Sequence, residues 1–82
     1  NRDYTLKKLS NDFINLINTE GNFILLKFEN RIIAQKYVDF LYENKITVRS
    51  LASYGLLNYV RMTIGTKSDM REAVRISNKF NV

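Results

Sequence analysis

The 82-residue chain predicts a two-layer α+β domain of order α-β-α-β-β-α, a three-stranded antiparallel or mixed sheet with its helices gathered on one face. Three observations predict it. The apolar period switches several times between helical and strand spacing. Gly21 and Gly65 fall where that period breaks, and Asn30 and Thr66 stand where helices can be capped. The chain has no proline, repeat or low-complexity stretch, so nothing marks a linker or a second domain.

From Tyr4 to Ile17 the apolar positions Leu6, Leu9, Phe13, Leu16 and Ile17 follow helical spacing, with Asp3 as N-cap and Gly21 ending the connection. The run Phe23-Ile24-Leu25-Leu26 within Asn22–Phe28 is short, apolar and bounded by Gly21 and Asn30, which suits a strand. Asn30 caps a second helix, on which Ala34, Tyr37, Val38 and Leu41 form one apolar stripe. Ile46–Arg49 and Tyr59–Ile64 alternate apolar and polar residues and are rich in β-branched or aromatic side chains, as half-buried strands are. After Gly65, Thr66-Lys67-Ser68-Asp69 resembles a capping box with Asp69 in place of the usual Glu or Gln. It opens a third helix that runs to about Phe80 and buries Met70, Ala73, Val74 and Phe80.

Composition bounds the function. With 45% hydrophobic and 26% charged residues the chain is globular rather than disordered. It has no cysteine, histidine or tryptophan, which removes disulfides, thiolate zinc sites and Ser-His-Asp or Cys-His catalysis together, and no metal site is expected. No apolar run approaches the ~20 residues that span a bilayer, and the start does not resemble a signal peptide. A cytoplasmic location without membrane association is the expectation. Asn1 in place of Met suggests a processed chain or a piece of a longer one. The net charge of +5 draws anions in general: nucleic acid, phosphorylated metabolites or an acidic partner domain.

Strand geometry narrows this further. Period 2 puts Ile46 and Val48 opposite Thr47 and Arg49, and Val60, Met62 and Ile64 opposite Tyr59, Arg61 and Thr63. The apolar sets face the helices, so Arg49 and Arg61 project from the other side. The first strand is apolar on both faces, with Phe23 and Leu25 joining the arginines. Apolar surface of this kind beside two arginines implies that the face meets another domain or a ligand.

Several segments carry a family resemblance. Gly21-Asn22-Phe23-Ile24-Leu25 resembles the Asn-Phe strand that opens the small domain of histidinol-phosphate aminotransferases and their relatives. Lys45-Ile46-Thr47-Val48-Arg49 resembles the family's G-I-x-V-R, with Lys45 replacing the glycine. Ser53-Tyr54-Gly55-Leu56 and Val60-Arg61-Met62-Thr63-Ile64-Gly65-Thr66 resemble its Y-G-L and L-R-I-T-I-G-T segments, in the same order. The match runs from Thr19 to Phe80. It implies that residues 1–82 are the C-terminal small domain of a fold-type I enzyme dependent on pyridoxal phosphate. A large domain upstream then carries the cofactor and its Schiff-base lysine, the intact enzyme is a homodimer, and this part alone is inactive and binds no cofactor.

By the same resemblance Arg61 grips the α-carboxylate of the amino-acid substrate, a task that suits a planar guanidinium. The bland alternative is a solvated strand arginine. Arg49 corresponds to the family arginine near the distal, phosphate-bearing end of the substrate, or else is a rim charge or one half of an interdomain salt bridge. Tyr54 can close over the site from a loop in which Gly55 adopts positive φ, or simply pack in its turn. Asn22 can approach the cleft or cap the preceding turn. Arg71, Arg75 and Lys79 form a basic stripe that reads as a solvated helix face beside Asp69 and Glu72 rather than a nucleic-acid surface, and Tyr37, Phe40 and Tyr42 as core and rim. Two alternatives remain: the small domain of a related decarboxylase of amino-acid phosphates, and a basic RNA- or ligand-binding module whose sheet displays Phe23 and Tyr59.

Overall fold

The polypeptide forms α1 (Arg2–Lys8), β1 (Asn15–Ile17), β2 (Phe23–Lys27), α2 (Arg31–Glu43), β3 (Arg49–Ser50), β4 (Tyr59–Thr63) and α3 (Lys67–Asn78), with a 3-10 turn at Ala52–Tyr54. The computed structural model describes all residues, Asn1–Val82. The strands make one open antiparallel sheet in the order β1-β2-β4-β3. The α+β class stands as expected, but the sheet has four strands rather than three, and the order gains a strand after the first helix.

The extra strand comes from the segment read as the second half of a long helix. That helix ends at Lys8 and starts after Asn1, whose side chain donates to the Gly65 carbonyl rather than capping, with Asp3 in its first turn instead of at the cap position. Polar side chains at the break offer the backbone other partners. The Asn11 Oδ1 accepts from the Phe13 N–H at 2.9 Å, its Nδ2 donates to the Ser77 and Phe80 carbonyls at 2.9 Å each, and the Ser10 N–H donates to Asn78 Oδ1 at 2.8 Å. These bonds tie the segment to the end of α3. Asn15–Ile17 is then free to pair with β2, placing Leu16 opposite Leu26 and Ile17 opposite Leu25.

The strand expected at Ile46–Arg49 is also shifted. Only Arg49 and Ser50 pair with β4. The Ile46 N–H is held by the Leu41 carbonyl at 2.9 Å and the Lys45 N–H by the Tyr42 carbonyl at 2.9 Å, so the start of the segment stays on the end of α2. This paired closure requires a left-handed residue at its centre, and Lys45 adopts φ 67° there. The family pattern has glycine at this position, and the backbone keeps the conformation that glycine favours. Left-handed φ costs a side-chain-bearing residue about 1–2 kcal/mol, and glycine's extra freedom in the unfolded chain offsets about 0.4–1 of that. Lys45→Gly is therefore expected to stabilise the chain by roughly 0.5–1 kcal/mol, read as a melting temperature a few degrees higher. A lower melting temperature would show that the lysine makes compensating interactions.

The core lies between the sheet and the helices. Ile24, Leu26, Val60 and Met62 on one face of the sheet are buried against Ala34, Tyr37 and Leu41 of α2 and Met70, Ala73, Val74 and Ile76 of α3. Ile46, Val48 and Ile64 are only partly buried at its margin. The Asn30 side chain caps α2 by accepting from the Ile33 N–H at 3.0 Å. At α3 both halves of the expected capping box form: Thr66 Oγ1 accepts from the Asp69 N–H at 3.1 Å, and Asp69 Oδ2 accepts from the Thr66 N–H at 3.3 Å. A Cβ at Gly65 would lie 2.9 Å from that same carboxylate oxygen, so the box needs the glycine. The helix ends at Asn78, two residues before the expected Phe80, which is nevertheless buried. The one polar pair deep in the core joins the Tyr37 and Ser77 hydroxyls at 2.7 Å. Burial raises the Tyr37 pKa, against a smaller lowering from Ser77, and keeps the phenol neutral.

Candidate functional site

The sheet face turned away from the helices carries a row of directly paired residues. Ile17 opposes Leu25, Leu25 opposes Arg61, and Arg61 opposes Arg49. Phe23, Lys27, Tyr59 and Thr63 share this side by the strand period. The two arginines thus lie on one face, as expected, and are immediate cross-strand neighbours.

Like charges directly opposite one another destabilise a strand pair. Neither arginine has an acidic partner; the chain's sole ion pair joins Glu72 and Arg75 on α3. Each guanidinium turns instead to an aromatic ring. Arg61 lies 5.6 Å from the centre of Phe23. Arg49 lies 5.5 Å from the centre of Tyr54 and donates to its hydroxyl at 2.7 Å. Phe23 sits at the Thr63 end of β4 and Tyr54 in the loop at its Tyr59 end, so the two side chains lean toward opposite ends of the sheet.

Tyr54 ends the 3-10 turn that Gly55 closes with φ 84°, the positive value expected of it, and is 63% exposed. It contacts Arg49 rather than only packing within its turn. Asn22 lies beyond β2 at the Thr63 end. Its carbonyl accepts from the Ile64 N–H at 2.7 Å, while its side chain is exposed and caps no turn. Arg49, Arg61 and Tyr54 are therefore brought together, and Asn22 stands apart, next in sequence to Phe23. Strand period alone puts Phe23 on the open face, but its diagonal pairing with Arg61 depends on the β2–β4 register, for which the sequence carries no local signal.

This face is not a pocket. The largest concavity, about 420 Å³, lies elsewhere, between α2 and the β3–β4 loop, and is lined by Arg31, Ile32, Lys36, Ser50, Ala52 and Leu57 among others. No concavity of the chain includes Arg49 or Arg61. Two cations on a nearly flat, part-apolar face are able to hold an anionic group once a second wall excludes water above them. The basic stripe of α3 is different: its middle member Arg75 is engaged with Glu72, whose carboxyl it holds below the ordinary value. Tyr37 is core, Phe40 half-buried and Tyr42 72% exposed, which makes them core and rim of α2. No helix is long and apolar enough to cross a membrane.

No protein-family model matches the chain. Over 80 residues, 96% of its length, it is 39% identical to a histidinol-phosphate aminotransferase of Clostridium kluyveri. Over 52 residues, 63% of its length, it is 40% identical to a histidinol-phosphate aminotransferase of Wolinella succinogenes, of which it covers 14%. The chain is a C-terminal aminotransferase-like domain. It spans about 22% of the length of the Clostridium relative. A crystal structure of a protein assigned as an aminotransferase from Burkholderia pseudomallei shares the fold of the aminotransferase-like domain, with a TM-score of 0.71 and 24% identity over 88% of this chain and 20% of that one.

Proposed function

We propose that this domain is the substrate-gripping part of a pyridoxal-phosphate aminotransferase that exchanges an amino group between histidinol phosphate and glutamate and their keto counterparts. One observation carries the reading: Arg49 and Arg61 face outward side by side with no carboxylate of their own chain to neutralise them. An anion from outside is the missing partner. Arg61, half-buried against Phe23, grips the substrate's α-carboxylate through two parallel hydrogen bonds and so orients its Cα–H bond. Arg49 leans toward the opposite end, held by the Tyr54 hydroxyl, and contacts the distal phosphate. Asn22 stands at the entrance.

The large domain of the same chain, in a cytoplasmic homodimer, supplies the second wall over Ile17, Phe23 and Leu25. The residues of the open face do not fit a covalently held cofactor. Lys27, on that face, is exposed, lies 5.8 Å from the centre of the Tyr59 ring and borders no concavity. Pyridoxal phosphate, when bound, supplies an electron sink, and residues of the large domain hold it.

The intact enzyme, given glutamate and imidazole acetol phosphate, is expected to release 2-oxoglutarate. Carbon dioxide release from an amino-acid phosphate would mark the decarboxylase instead. Absence of either reaction, with salt-dependent micromolar RNA binding, would leave the binding-module reading standing.

A further inference from the structure

The seating of Phe23 has a use that fold stability does not require. Its ring lies on the open side of β2, away from the core, and folds back over Gly21: a Cβ there would come within 2.6 Å and 2.9 Å of two ring carbons. Gly21 has no positive φ, so close approach rather than backbone conformation is what limits the position. The same ring meets Arg61, whose guanidinium lies 5.6 Å from its centre. Arg61 opposes Leu25, an aliphatic residue that gives a guanidinium nothing to orient against, and Arg49, a like charge. Phe23 is thus the one neighbour across β2 and β4 that attracts the Arg61 cation.

We infer that Phe23, seated on Gly21, is a positioning residue that aims the Arg61 guanidinium and sets how tightly the site grips a carboxylate. The inference rests on Arg61 being the carboxylate grip proposed above. Repulsion from Arg49 pushes the Arg61 side chain along the strand, and the Phe23 face gives that displaced cation a fixed resting place. A fork held in one orientation loses less freedom on binding than one free to swing over the sheet. Tyr54 holds Arg49 in the same way from the other end, which keeps the two guanidiniums apart.

The test uses the intact enzyme with Phe23→Leu, Phe23→Tyr, Arg61→Ala and the Phe23→Leu/Arg61→Ala double variant. Activity is followed with glutamate, and binding by calorimetry with succinate, a dicarboxylate with no amino group to transfer. Phe23→Leu is expected to raise KM for glutamate and weaken succinate binding roughly five- to tenfold, with kcat little changed. Phe23→Tyr keeps the ring and should match the parent. In the Arg61→Ala background Phe23→Leu should add nothing, because its effect passes through the arginine. The same factor lost with and without Arg61 overturns the inference, as does wild-type behaviour of Phe23→Leu where Arg61→Ala is impaired; both leave the site itself intact. An unimpaired Arg61→Ala would instead remove the reading underneath. Should Phe23→Leu fail to fold, Gly21→Ala keeps the ring but takes its seat, and must weaken succinate binding in the same Arg61-dependent way; parent-like binding by this variant overturns the inference too.

Discussion

Replacing Arg61 with alanine is expected to lower kcat/KM for amino transfer in the intact enzyme by about 10²- to 10³-fold. Two charge-assisted hydrogen bonds to a carboxylate, each contributing roughly 1.5–3 kcal/mol and overlapping in part, amount to about 3–4 kcal/mol lost from the transition state. Arg61→Lys keeps the charge but not the fork, and should recover only part of the loss. The stability of the domain should move far less. Arg61 directly opposes Arg49 and forms no ion pair, so the repulsion relieved by the substitution, a few tenths of a kcal/mol, is offset by loss of the contact with the Phe23 ring, about 0.5–1 kcal/mol. Lost activity with a nearly unchanged melting temperature is the signature of a residue kept for its ligand. Unchanged kcat/KM would refute the assigned role outright.

The largest effect on folding is expected at Phe80. Its ring sits among four others: Tyr37 at 5.3 Å, Phe40 at 5.7 Å, Phe13 at 6.1 Å and Phe28 at 6.4 Å between centres, the last three spanning α2, the break after α1 and the end of β2. Its carbonyl also accepts one of the Asn11 hydrogen bonds that pin the break to α3. Phe→Ala in a core costs about 3–5 kcal/mol, and native domains in general hold only ~5–15 kcal/mol, with small ones at the low end. Phe80→Ala should therefore leave much of the isolated chain unfolded at 25 °C, while Phe80→Leu, which keeps an aliphatic side chain in place, loses less. Urea unfolding followed by circular dichroism separates the outcomes. A midpoint within experimental error of the parent would mean that the aromatic cluster is not the keystone its geometry suggests.

How much of this was legible in the sequence depended on whether local signals met a competing long-range partner. The α2 stripe and cap, the two-sided strand at Phe23–Lys27, the capping box at Thr66 and the shared face of Arg49 and Arg61 all follow from spacing within a few residues, and all are present. The first helix was misread because Leu6, Leu9, Phe13 and Leu16 happen to keep helical spacing through a segment whose backbone is claimed by Asn78, and whose Asn11 reaches Ser77 and Phe80, more than sixty positions away in the chain. The shortened β3 likewise reflects the closure at the end of α2, in which Lys45 occupies a conformation its residue type does not advertise.

Composition alone ruled out thiol, histidine and disulfide chemistry, and strand periodicity alone placed both arginines on the open face. Register is a tertiary property. Only the folded sheet decided that Arg49 and Arg61 are direct neighbours, that each leans on its own aromatic ring, and that no acid of the chain answers them, because pairing between strands far apart in sequence is set by the packing of their buried faces.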